Sequence, residues 1–165
     1  MSAKINIFKI FRKKPTPAVP SSIPTVHSKI YKIQCPEIKT GSAYYFTTDS
    51  GLQYEVRFGK IKNSLRSIIN FGVLNEEFED DEYADTNKGE IYRIVATVVE
   101  VAKIFMSANI YFNSYEFCGR FKKGNENRKT SIRTLLFYRT AKRILDENWK
   151  IKLEGNKVIV QKNIF

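Results

Sequence analysis

Residues 91–106 read Ile-Tyr-Arg-Ile-Val-Ala-Thr-Val-Val-Glu-Val-Ala-Lys-Ile-Phe-Met, and nearly all of them are apolar. The polar residues in and around this run, Glu90, Arg93, Thr97, Glu100, Lys103 and Ser107, recur at spacings of three and four. In a helix that spacing gathers them on one narrow stripe and leaves the rest of the circumference apolar. Such a helix is stable only when other elements enclose it. Any fold open to this chain must therefore build walls around most of residues 91–106. Asn87 and Glu90 stand at capping-box spacing just before the run, with Asn87 as the expected N-cap.

The walls are legible as strands. Residues 44–48 are aromatic and β-branched, and Asp49-Ser50-Gly51 is a turn signal. Leu52, Tyr54, Val56 and Phe58 then alternate with Gln53, Glu55 and Arg57, so the pair reads as a hairpin with one face in a core. Leu65, Ile69, Phe71 and Val73 continue the alternation in a third strand, with Arg66 and Asn70 opposite. A weaker strand precedes these at residues 29–34, and another is expected at 110–117. A second helix, rich in Arg and Lys, is expected over residues 128–147. The chain closes in a hairpin: Trp149, Ile151 and Leu153 alternate with lysines, Gly155-Asn156 turns, and Val158 and Val160 return. Runs of strands joined by hairpins predict an α+β fold. It would hold a mainly antiparallel sheet, a buried central helix and a second basic helix, with the helices on one face.

Residues 13–26 contain four prolines (Pro15, Pro17, Pro20 and Pro24), which fix φ and remove amide donors. Residues 1–28 are accordingly expected to be an extended basic, Pro-rich arm and linker. One globular domain is expected over residues 29–165, a length suited to a single core. Ile7, Phe8 and Phe11 beside Arg12, Lys13 and Lys14 make the arm a candidate docking segment. No apolar run is long enough to span a bilayer, and no signal-peptide pattern is present.

Charge is sorted along the chain. Residues 1–40 carry +7, residues 41–117 carry −5 and residues 118–165 carry +9. Separate charged blocks predict separate surfaces for separate partners. The candidate binding surface is Arg120, Lys122, Lys123, Arg128, Lys129, Arg133, Arg139 and Arg143, with Lys142 among them and Phe121, Tyr138 and Trp149 interspersed. Cations with aromatics suit an acidic protein surface, a second copy of the chain through its acidic middle, or a nucleic acid.

Catalytic patterns are missing from the sequence. His27 has no orienting neighbour. Asp49 with Glu55 and Arg57 has neither the spacing nor the lysine of a carboxylate-and-lysine nuclease. The acidic residues Glu76, Glu77, Glu79, Asp80, Asp81, Glu82 and Asp85 do not follow an EF-hand spacing. Dispersed glycines form no phosphate-cradling loop, and no cofactor or metal is implied. Cys35 and Cys118 match no metal-ligand spacing and are expected to be reduced and buried.

Tyr-Tyr-Phe-Thr-Thr-Asp-Ser-Gly at 44–51, Phe-Gly-Val-Leu-Asn at 71–75, Glu-Tyr-Ala-Asp-Thr-Asn-Lys-Gly-Glu at 82–90, Ile-Val-Ala-Thr-Val-Val at 94–99 and the Arg133–Arg139 segment form a recognisable series. This series resembles small uncharacterised (domain of unknown function) families of Bacteroidetes and bacteriophage proteins. The resemblance implies a bacterial or phage accessory protein, and carries no activity with it. The expectation is a non-enzymatic interaction or assembly protein, cytoplasmic or virion-associated, docking through its arm and basic C-terminal surface. The alternative is a nucleic-acid-binding accessory protein using the surface at 118–143.

Overall fold

In the computed structural model, residues 30–74, 90–121 and 124–163 are described. They form six strands and two helices: β1 (Ala43–Thr47), β2 (Gln53–Lys60), β3 (Arg66–Val73), α1 (Ile91–Ala108), β4 (Ser114–Phe117), α2 (Ile132–Ile144), β5 (Trp149–Glu154) and β6 (Lys157–Lys162). The strands make one sheet in the order β1-β2-β3-β4-β6-β5. Every neighbouring pair is antiparallel except β3 and β4, which run parallel. Parallel strands need a crossover, and α1 lies in the connection between these two. The expected α+β architecture is therefore present.

The hairpins form where the sequence alternates. Tyr44, Phe46, Tyr54, Val56, Phe58 and Ile69 are all buried, while their strand neighbours Tyr45, Arg57 and Asn70 are exposed. The β5–β6 loop has two residues, and of these only Gly155 has a positive φ, +60°. A glycine at the first central position is the requirement of a II′ turn.

Ten residues of α1 are buried, on most of its circumference. Its ring of neighbours is aromatic: Phe105 stacks on Phe58 at 3.8 Å and meets Tyr44 and Tyr115 edge-on. The other helix, α2, packs through Phe137, whose ring lies 4.4 Å from Phe117. Tyr115 is wholly buried in this cluster, and burial pushes its phenol pKa far up.

Four expectations are corrected. The leading strand expected at 29–34 is reduced, among its described residues 30–34, to an isolated bridge of Gln34 to Tyr45. The strand expected from 110 begins at Ser114, because Asn109–Phe112 closes a turn that leaves Ile110 and Tyr111 exposed. The basic helix starts at Ile132, not near 128, because the Ser131 hydroxyl accepts the Thr134 N–H and caps it. The fourth concerns the cysteines, which are free as expected but exposed rather than buried.

The polar stripe of α1 has a structural use. Thr97 is fully buried and accepts the Tyr31 N–H at 2.9 Å. Arg93 pairs with Asp49 at 2.6 Å, donates to the Ile30 carbonyl and lies 4.0 Å over the Tyr31 ring. Glu90 makes no side-chain cap; its carboxylate accepts the Ser50 hydroxyl and N–H and the Tyr31 hydroxyl. Asn87, the expected N-cap, lies outside the described residues, as do His27 and the acidic residues 76–85. Half of the stripe thus fastens the leading segment and the β1–β2 turn onto α1.

Candidate functional site

The basic residues of the last third divide by position. Arg120, Arg128, Lys129, Arg139, Lys142 and Arg143 are exposed. Lys122 and Lys123 lie outside the described residues, as does the arm with Ile7, Phe8, Phe11, Arg12, Lys13 and Lys14. Arg133 is a correction: it is only 3 % exposed, and its guanidinium sits 5.2 Å from the centroid of the Phe71 ring. Within α2, Arg133, Phe137 and Ala141 recur every four residues and share the buried face.

The opposite face of α2 is the cationic one. Arg139 and Arg143 stand one turn apart, with Lys142 beside them over the Tyr138 ring at 5.3 Å. Ile132 lies two turns before Arg139 on that same face and is 47 % exposed. Among the described residues, Arg128, Lys129, Arg139, Lys142 and Arg143 make no ion pair. Four described acids are engaged elsewhere, Asp49 with Arg93, Glu55 with Arg57, Glu100 with Lys103, and Glu116 with both Arg66 and Lys157, whereas Asp146 and Glu147, just after α2, make no ion pair among the described residues. Lys142 and Arg143 in the last turn also complement the helix dipole.

The aromatics near this face are occupied. Trp149 meets Tyr115 edge-on at 5.7 Å, and both Trp149 and Tyr138 are half-buried against the core. Phe121 is half-buried too. Trp149 and Tyr138 are thus partly withdrawn from the open surface that base stacking uses.

A polar clasp, unread in the sequence, holds the start of α2 in place. The Ser131 N–H donates to Asn156 Oδ1 and the Asn156 amide donates to the Gly119 carbonyl, both at 2.7 Å. Gly119 N–H donates to the Thr134 hydroxyl at 2.9 Å, and the Thr130 hydroxyl donates to the Gly155 carbonyl at 2.7 Å. One turn residue, Asn156, thereby ties the β5–β6 hairpin, the end of β4 and the N-terminus of α2 together. The Gly155-Asn156 signal announced the turn but not this second duty.

Among the described residues no group of His, Cys, Asp or Glu is placed to hold a metal, and no helix is long and apolar enough to cross a membrane. Comparison with known proteins finds no matching family model, no matching curated protein and no matching solved structure.

Proposed function

We propose that this chain is a non-enzymatic docking protein of a bacterial or phage assembly, and that the outward face of α2 binds an acidic protein surface. The observation that supports this is the mixed character of that face. Arg139, Lys142 and Arg143 carry charge with no ion-pair partner among the described residues, and Ile132 adds exposed apolar surface beside them. Protein interfaces combine an apolar anchor with charges that steer the encounter, whereas phosphate tracking needs the charge alone. The packed state of Tyr138 and Trp149 further favours protein over single-stranded nucleic acid.

The test compares the full-length chain with Arg139→Glu/Arg143→Glu and Ile132→Ser variants in pull-downs from native lysate, with and without nuclease. Defined protein partners should survive nuclease and be lost from the charge-reversed variant. Ile132→Ser should weaken capture without altering its salt dependence. Partners that disappear with nuclease, together with oligonucleotide binding of equal strength by wild type and Ile132→Ser, would move the assignment to nucleic acid.

A further inference from the structure

Three apolar side chains stand in solvent at one end of the sheet. Ile110 is 66 % exposed and Tyr111 81 %, side by side in the turn between α1 and β4. Leu65 is 55 % exposed at the end of the turn between β2 and β3. These two turns are neighbours. Arg66 and Ser114 open the parallel strands β3 and β4 opposite each other, and the Asn113 N–H donates to the Leu65 carbonyl at 2.9 Å. Each turn is closed by its own hydrogen bonds. The Phe112 N–H donates to the Asn109 carbonyl, and the Ser64 N–H and hydroxyl both donate to the Ile61 carbonyl. Phe112 packs on Phe105 with ring centroids 5.9 Å apart, which leaves the two residues before it outside the core. The exposure of Ile110, Tyr111 and Leu65 is thus set by turns whose backbone groups are already satisfied.

The charge around these residues has one dominant sign. Residues 60–65 and 107–113 include Lys60 and Lys62 and no acid. Both lysines are exposed, and neither makes an ion pair among the described residues. Lys162 joins them at the end of β6, where its N–H donates to the Asn113 carbonyl at 2.8 Å and its ammonium is unpaired in the same sense. Asp146 shares a cavity wall with Ile110, but Lys103 and Lys162 line that cavity as well.

Apolar tips flanked by unpaired cations match an apolar layer lying beneath an anionic one. A protein partner anchors such side chains by supplying a shaped pocket for each. The boundary between acyl chains and headgroups accepts side chains of any shape. Tyrosine is enriched at that depth, and lysine keeps its ammonium among the anionic headgroups while its stem lies against apolar surface. We propose that this end of the molecule binds an anionic lipid surface, with Ile110, Tyr111 and Leu65 entering the interface and Lys60, Lys62 and Lys162 meeting the headgroups. The site uses none of the α2 residues assigned to the protein partner, so either role can fail without the other.

The full-length protein is sedimented with vesicles of equimolar phosphatidylserine and phosphatidylcholine, and with vesicles of phosphatidylcholine alone, over a series of lipid concentrations. It should bind the anionic vesicles far better than the neutral ones, and less as salt rises. Ile110→Ser/Tyr111→Ser, at two exposed positions, should raise the lipid concentration for half-binding about tenfold. Lys62→Gln should raise it about fivefold, the worth of one lysine at an anionic surface. Tyr92→Ser, also exposed but at the other end of α1, should leave it unchanged. Thermal melts check that each variant folds. Tyr111→Trp adds a second tryptophan to Trp149, and its added emission should be quenched by lipids carrying a nitroxide high on the acyl chain. Absence of sedimentation with the anionic vesicles would overturn the proposal and assign the patch to a protein partner. Binding that Ile110→Ser/Tyr111→Ser does not weaken would also overturn it, and would place the lipid contact in another basic segment such as residues 1–14.

Discussion

Tyr31 shows how one residue can carry a segment. Its N–H bonds Thr97 of α1 and its hydroxyl bonds Glu90 just before that helix, and its ring stacks on Phe46 at 5.8 Å with the Arg93 guanidinium 4.0 Å from its centroid. Burial first, and then the adjacent Glu90 carboxylate, push its pKa up to about 12 from 10.0. The native state therefore keeps a proton that the unfolded chain releases near pH 10. This contribution to stability is complete below that pH and is lost as pH rises from 10 through 12. Tyr31→Phe should cost about 1 kcal/mol at neutral pH through the lost hydrogen bond. The same variant should fall less steeply than wild type between pH 10 and 12 in urea titrations; parallel curves would refute the linkage. Gly119 makes the converse case, where an added atom is the problem. Gly119→Ala has backbone and side-chain atoms in its path at 3.0 Å or less. It should cost about 1–3 kcal/mol, the usual range for overpacking, read as a lower urea midpoint at unchanged slope.

At the scale of elements, what the sequence disclosed was local. The β1–β2 and β5–β6 hairpins were legible because alternation and turn glycines are properties of neighbouring residues. The body of α1 was legible because sixteen nearly apolar residues admit few other readings. The parallel pairing of β3 with β4 was not, because sheet order is decided by which strands meet after the α1 crossover. The start of α2 was misplaced because Arg128 and Lys129 share its basic composition, while the cap at Ser131 is a geometric event. In the candidate site, Arg139 and Arg143 were picked out by their charge, not by a helical face, and both are exposed. Arg133 was assigned to the same surface although its four-residue spacing to Phe137 and Ala141 already placed it with the buried set. Asn156 signalled its turn but not its clasp, since the partners in the clasp lie 25 and 37 residues away. Asn156→Ala should leave β5 and β6 paired but expose the Ser131 N–H and the Gly119 carbonyl to solvent. A loss of about 2 kcal/mol is expected for two hydrogen bonds. Amide exchange should quicken at the start of α2 and little in β6; uniform quickening would show instead that the turn itself had failed.

On the scale of the whole molecule, a net charge of +11 stands against folding, and α2 concentrates that opposition. Arg139 and Arg143 are like charges one helical turn apart with no ion pair among the described residues, an arrangement that costs about 0.2–0.5 kcal/mol. Salt screens such exposed charges, with a Debye length near 10 Å at 0.1 M. The protein should therefore gain stability as salt rises from low ionic strength. Arg139→Gln should be the more stable form in low salt by about 0.3 kcal/mol, and should lose that advantage near 1 M salt. Thermal melts of both proteins across the salt series read this directly. An advantage that persists in high salt would mean that Arg139 is misfitted rather than repelled. Under the proposed docking role the sign should reverse on binding: an acidic partner would neutralise the same pair, so Arg139→Gln should weaken the complex under the low-salt conditions where it strengthens the free protein. Opposite signs for one substitution, measured in one buffer, would identify the charge on α2 as a feature serving the partner rather than the fold.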